Sequence, residues 1–166
     1  MIPTIQIKDN FLNEKEFNIL YNNLDKISFI PYIQKNGLTS GFRQEFKKNS
    51  DNKWLFEKIK KQFFPNVNLK EDVCCYHWRH NKDMVLSHVD GDKDFNFILY
   101  LKGDELVYNG TGIYHKDDLN TYVGFVKNRA IFFDGKNNIH TDLQALGPSS
   151  GRYTLNIFYK YGQENV

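Results

Sequence analysis

Between Val73 and Tyr161 the sequence is cut into short stretches with the alternation or aromatic density of β-strands, and turn residues stand between them. The stretches run from Val73 to Trp78, Val85 to Asp90, Phe95 to Leu101, Leu106 to Tyr108, Gly112 to Tyr114, Thr121 to Val126, Arg129 to Phe133, around His140, and from Arg152 to Tyr161. Gly103-Asp104, Lys127-Asn128, Asp134-Gly135 and Gly147 to Gly151 punctuate them, and Asn109-Gly110 reads as a hairpin turn between its flanking stretches. About eight core strands in this arrangement predict a mainly β fold with a double-stranded β-helix, or jelly-roll, core. The 14 Phe and 10 Tyr suit such a core.

The amino-terminal part reads as support. Ile2 to Lys8 alternates as a strand, and Asn13 with Glu16 forms a capping-box pair at the start of a helix. Phe17, Leu20, Tyr21 and Leu24 follow at helical spacing and give that helix one apolar face. Ser50 or Asp51 opens a second helix carrying Leu55, Phe56, Ile59 and Phe63, which Pro65 ends. Between the helices, Ser28 to Ser50 breaks into short β-like pieces around Gly37 and Gly41, and reads equally as a surface hairpin or as a lid. With 166 residues, 40% hydrophobic content and no linker, one domain is expected, with support and candidate lid over 1–70 and the core over 71–162.

A net charge of +2 is too small to argue for a nucleic-acid partner. The adjacent Cys74 and Cys75 point to opposite faces of a strand and suit a reducing compartment. No signal pattern precedes Asn10 and no apolar run approaches the length of a membrane span, so the expectation is a cytoplasmic protein. Only four of the 22 basic side chains are arginines, which makes each arginine informative.

Three His-x-Asp triplets occur: His88/Asp90, His115/Asp117 and His140/Asp142. Two imidazoles and one carboxylate form a facial triad for non-haem Fe(II) and leave the opposite coordination positions open. In a β-helix the second histidine returns several strands after the first pair, at roughly 8 to 12 residues per strand and turn. His140 lies 52 residues beyond His88, whereas His115 precedes His140 by only 25. Spacing therefore selects His88, Asp90 and His140, with the remaining triplet residues as solvated loop groups. Alternation along a strand sends His88 and Asp90 to the same face. His77, His80 and His115 are expected to be exposed.

The set Cys75-Tyr76, His88-Val89-Asp90, Ile98-Leu99-Tyr100-Leu101, Ala130-Ile131-Phe132-Phe133, His140 and Arg152-Tyr153-Thr154 resembles the 2-oxoglutarate- and Fe(II)-dependent oxygenases, especially their prolyl-hydroxylase-like branch. The resemblance covers about Val73 to Tyr161, and the amino-terminal part is similar in layout only. It implies Fe(II) held by His88, Asp90 and His140, with 2-oxoglutarate as co-substrate, O2 as oxidant and ascorbate as a possible stimulant. Arg152, 12 residues after His140, would grip the far carboxylate of 2-oxoglutarate in a bidentate fork, with Thr154 adding a hydroxyl on the same strand face. Tyr76 and Tyr100 would stand near the co-substrate, and Arg43, Trp78 and Arg79 are candidate substrate contacts by their placement.

The implied reaction is hydroxylation of a C–H bond with release of succinate and CO2. Halogenating relatives lack the carboxylate that Asp90 supplies. A prolyl or other amino-acid side chain in a peptide, and a free amino acid, are the substrates the resemblance favours; a nucleobase is disfavoured by the small charge. Two other readings stay open. One is a jelly-roll binding module without catalysis, and the other a cupin-like metal enzyme that does not use 2-oxoglutarate.

Overall fold

The computed structural model of the chain describes residues 5–35, 37–80, 83, 87–106, 109–115, 118–142 and 151–162. Ten strands and two α-helices follow in the order β1 (Ile5–Lys8), α1 (Glu14–Tyr21), β2 (Ile30–Ile33), β3 (Thr39–Glu45), α2 (Lys53–Phe63), β4 (Leu69–Arg79), β5 (Phe95–Lys102), β6 (Thr111–His115), β7 (Asp118–Val123), β8 (Ala130–Asp134), β9 (Ile139–Asp142) and β10 (Arg152–Tyr161). They form a seven-stranded sheet in the order β1-β8-β5-β10-β4-β3-β2 and a three-stranded sheet in the order β7-β6-β9. All pairings within both sheets are antiparallel. The mainly β expectation holds, and no helix among the described residues is long and apolar enough to cross a membrane.

Strand alternation divides the large sheet into two faces with different chemistry. One face carries Tyr76 on β4, Phe97, Leu99 and Leu101 on β5, Phe132 on β8, and Leu155, Ile157 and Tyr159 on β10. These pack with Phe17, Leu20, Leu55, Phe56, Ile59 and Phe63 from the helices into the larger apolar cluster. The helices are therefore supports for the sheet. Asn13 and Glu16 make both halves of the capping box, at 2.9 Å each, which fixes where α1 begins. The opposite face closes a smaller cluster of Ile98, Tyr100, Ile113, Val123, Phe125, Ile131 and Phe133 against the three-stranded sheet. Beyond that cluster, toward β10, β4 and β3, the same face turns polar.

Several boundaries differ from the sequence reading, each for a local reason. The second helix is capped at Asn52, because Asn49 Oδ1 accepts from the Asp51 and Asn52 amides and holds the preceding turn outside the helix. Ser28 to Ser50 contributes β2 and β3 to the sheet edge, where β3 pairs with β4 from Phe42↔Trp78 to Glu45↔Cys75. Asn109-Gly110 is not a hairpin turn between 106–108 and 112–114: β6 pairs with β7 and β9 instead, Asn109 donates to the Asp104 carbonyl, and Leu106 lies outside any strand. Of the expected strand from Val85 to Asp90, the described residues show a bridge at His88, and residues 85 and 86 lie outside those described. The expected turn at Gly147 to Gly151 falls outside them too, up to residue 150.

Candidate active site

His88 and His140 face each other across an isolated antiparallel bridge, with His88 N donating to His140 O at 3.0 Å and His140 N to His88 O at 2.9 Å. Backbone pairing thus brings two histidines distant in sequence to a ring separation of 4.5 Å. Asp90 is tied separately, its amide donating to the Gly135 carbonyl at 2.9 Å. Gly135 is required for that approach, because a Cβ there would lie 2.1 Å from Asp90 Oδ2. The consequence is a convergent cluster: one donor atom from each of His88, Asp90 and His140 lies within 4.8 Å of the others.

Both imidazole Nε2 atoms aim at Asp90 Oδ1, from His88 at 3.7 Å and from His140 at 3.4 Å. These gaps are too long for hydrogen bonds and leave room for a shared ion. His140 Nδ1 lies 3.1 Å from the Asn138 carbonyl, a contact that keeps the proton on Nδ1 and leaves Nε2 its lone pair. Asp90 Oδ2 is buried without a hydrogen-bond partner, an expensive condition for a carboxylate unless a cation completes it. Two nitrogens and one hard oxygen suit Fe(II) and related divalent ions. The Asp90 and His140 side chains are buried, while that of His88 is half exposed and marks the open side.

Adjoining the cluster is a cavity of about 50 Å³. One wall comes from the large sheet: Arg43 on β3, His77 and Arg79 on β4, and Arg152 with Thr154 and Asn156 on β10. Arg152 donates through Nη1 to the Gly110 carbonyl at 2.6 Å and through Nη2 to the Asp142 carboxylate. Asp142 also pairs with Arg79 Nη1 at 3.2 Å. Burial pushes the Arg152 pKa down to about 10, with repulsion from Arg79 acting in the same direction, so the guanidinium remains charged at neutral pH. Burial also holds His77 well below its ordinary value, assisted by Arg43, Arg79 and Arg152. His77 is therefore a neutral imidazole at neutral pH.

His88, Asp90, His140, Arg152, Thr154, Arg43 and Arg79 share the cavity. Tyr100 stands on the same sheet face behind Arg152, whose guanidinium carbon is 5.6 Å from the ring, and its hydroxyl is taken by Thr111 Oγ1 at 2.8 Å and the Val123 carbonyl at 3.2 Å. Tyr76 and Trp78 do not reach the cavity. Tyr76 packs on Phe46 at 5.1 Å, and Trp78 stacks on Tyr153 at 5.6 Å and lies against Phe42 at 4.8 Å, all on the helix side. The reason is parity, since residues 76 and 78 project opposite to residues 77 and 79.

Two functional candidates were not legible in the sequence reading. His77, expected to be exposed, is buried in the cavity wall, and Asp142, expected in a solvated loop, lies on β9 between two arginines. The side chain of His115 lies outside the described residues, and His80 is only partly exposed.

No family model matches the sequence, and no curated protein matches it at a significant level. Solved structures do match in fold. A prolyl hydroxylase from Trichoplax adhaerens, solved with a hypoxia-inducible-factor oxygen-degradation-domain peptide, superposes with a TM-score of 0.69 at 13% identity, over 94% of this chain and 83% of that one. The fold is shared with solved prolyl hydroxylases and with a 2-oxoglutarate-Fe(II) oxygenase-family protein from Burkholderia pseudomallei. A Pseudomonas putida prolyl-4-hydroxylase gives a TM-score of 0.67 at 13% identity, covering 96% of this chain and 94% of its own. HygX from Streptomyces hygroscopicus, solved with nickel, 2-oxoglutarate and hygromycin B, gives 0.67 at 10% identity, covering 94% and 82%. At these identities the likeness concerns the fold, and the chemistry rests on the residues above.

Proposed function

We propose that the protein is an Fe(II)- and 2-oxoglutarate-dependent oxygenase, built as one domain on a jelly-roll core, that hydroxylates a C–H bond of an amino-acid side chain. The observation that carries this reading is the convergence of His88, Asp90 and His140 beside the buried Arg152 on one cavity. HygX, solved with nickel and 2-oxoglutarate, supports it as a fold relative. When bound, Fe(II) with 2-oxoglutarate and O2 supplies the oxidising chemistry, one oxygen atom going to succinate beside CO2 and the other to the substrate carbon.

The chain's own residues do the positioning. Asn138 fixes the His140 tautomer, and Gly135 lets Asp90 approach. Arg152 offers a planar donor pair to a carboxylate, and Thr154, two residues on, lines the same cavity. A space of about 50 Å³ holds only a water molecule or two. Co-substrate entry therefore requires Asp142 to give up its place on Arg152.

Titration with Mn(II) in place of Fe(II) tests the site. His88→Ala and His140→Ala should abolish stoichiometric binding, whereas His115→Ala should retain it. Mn(II) and 2-oxoglutarate should together raise the melting temperature more than either alone, and mass spectrometry of amino-acid and peptide candidates incubated with Fe(II), ascorbate and 2-oxoglutarate should detect a gain of one oxygen atom. Retention of metal by His88→Ala with loss by His115→Ala would refute the assignment. Metal binding with no response to 2-oxoglutarate would favour a cupin-like enzyme.

A further inference from the structure

Three guanidinium groups line the cavity, but its described walls hold only two carboxylates, Asp90 and Asp142. Asp90 faces the two imidazoles, and Asp142 pairs with Arg79 and Arg152. Arg43 is left over. Among the described residues it enters no ion pair, and its Nε is buried without a hydrogen-bond partner. Its guanidinium carbon sits over the Tyr32 ring, 3.8 Å from the centroid, a cation–π contact that supplies no carboxylate partner. Directly across the β3–β4 pair stands His77, itself more than nine-tenths buried, with Nε2 packed toward the β3 backbone at Gly41. A buried guanidinium without its acceptor is costly in a protein wall, and a ligand that accepts from it removes the cost.

That ligand is not the co-substrate's far carboxylate. Arg43 aligns with His77 and then Thr154, two strands from β10 and two residues along from the row that pairs Arg79 with Arg152. The Asp142 carboxylate that holds Arg152 also reaches Arg79 but forms no ion pair with Arg43. The cavity wall thus carries two separate anion anchors. We propose that Arg43, backed by Tyr32 and flanked by His77, binds a carboxylate of the primary substrate, and that this substrate is a small free amino acid rather than an internal residue of a peptide. This inference rests on the oxygenase reading, and it narrows the substrate by the chemistry of a planar fork meeting a planar carboxylate.

The test is calorimetric titration of the protein loaded with Mn(II) and N-oxalylglycine, a non-reacting analogue of 2-oxoglutarate. The titrants are free L-amino acids, their carboxamides, and the same residues placed within short capped peptides. At least one free acid should bind, with its carboxamide and capped-peptide forms at least 30-fold weaker. Arg43→Gln should weaken the acid to the level of its amide while leaving Mn(II) and N-oxalylglycine affinities unchanged. Tyr32→Leu, which removes the backing but keeps the charge, should weaken the acid about 3- to 10-fold and covers the case in which Arg43→Gln fails to fold. Amides or capped peptides binding as tightly as acids, no acid binding at all, or wild-type acid affinity in both variants overturns the inference. Failure of Mn(II) or N-oxalylglycine to bind the wild-type protein is a different result: it overturns the oxygenase reading, and this one with it.

Discussion

Replacing Asp142 with Asn is the most informative single change, because it keeps the shape of the side chain and removes one charge from between two buried arginines. The Asp142 side chain is 16% exposed, against 7% for Arg79 and 3% for Arg152. Breaking a buried pair by removing one partner costs about 3–5 kcal/mol. Asp142 keeps some contact with water, so about 2–3 kcal/mol is the appropriate range here. With an unfolding entropy of about 2.1 cal/mol/K per residue, a chain of this length loses about 3 °C per kcal/mol, so the melting temperature of Asp142→Asn should fall by about 6–9 °C. The same variant should bind 2-oxoglutarate more tightly, since the incoming carboxylate no longer competes with a resident one and restores the missing charge. Recovery of half the lost stability in the complex corresponds to about a tenfold gain in affinity.

Thermal melts of both proteins with Mn(II) across a 2-oxoglutarate series measure both effects, because ligand stabilisation grows as RT ln(1 + [L]/Kd). The wild type should melt higher without ligand, and the gap should close as 2-oxoglutarate rises. An unchanged melting temperature would show that the two arginines do not depend on Asp142. A smaller ligand response in Asp142→Asn would show that Asp142 does not occupy the co-substrate's place.

Three further outcomes follow from the same contacts. Arg152→Ala should weaken 2-oxoglutarate binding by about 100-fold or more and leave Mn(II) affinity as it is; equal co-substrate affinity in calorimetry would remove Arg152 from its role. Gly41 has φ +116°, and a Cβ there would lie 2.7 Å from Arg79 Cδ and 2.8 Å from His77 Nε2, so Gly41→Ala should lose about 2 kcal/mol or more in urea unfolding, and an unchanged midpoint would contradict the close packing of β3 on those side chains. His77 has its folded pKa depressed by burial and three arginines, so the unfolded chain binds the extra proton first and stability falls as pH drops below about 6.5, by up to about 1.4 kcal/mol per pH unit. His77→Gln should flatten the melting temperature between pH 6.5 and 5, and an unchanged slope would show that His77 is protonated in the folded state.

The elements that the sequence made legible are those whose signals are local. The Asn13/Glu16 capping box, the apolar face of α2 and the full span of β10 all depend on neighbours within a few residues, and each is found where its pattern stands. The distance between His88 and His140 was also informative, because strand length constrains it. What was illegible depends on register. On β4 both faces carry aromatic and polar residues, Cys74, Tyr76 and Trp78 on one and Cys75, His77 and Arg79 on the other, so composition does not say which is the site face. Tyr76 and Arg79 are an odd number of residues apart and could not both have faced the cavity. The pairing Arg152↔Arg79 decides between them. Asp142 was misread for a related reason: two residues beyond His140 on β9, it meets Arg152 only across the gap between the two sheets, which no spacing reveals. The Asn109-Gly110 signal failed because Gly110 serves a different purpose, its carbonyl accepting from Arg152 and its amide donating to the Tyr122 hydroxyl.

The distribution of charge between the sheets bears on how such a site is held closed and yet admits a ligand. Every arginine of the cavity comes from the large sheet, whereas His140 and Asp142 come from β9 of the small one and Asp90 from the segment tied to Gly135. At the Tyr100–Phe125 end the two sheets are joined by a dry apolar cluster. At the cavity end they are joined by Asp142 on its two arginines. Apolar packing is insensitive to a carboxylate ligand, but an ion pair can be exchanged for another ion pair at little net cost. A dicarboxylate that set one end on Arg152 and the other beside His140 would replace the Asp142 link by a longer one of the same sign, and would join the sheets again. The apolar end would keep the sheets in register during such an exchange, and the charged end would make the junction responsive to that class of ligand.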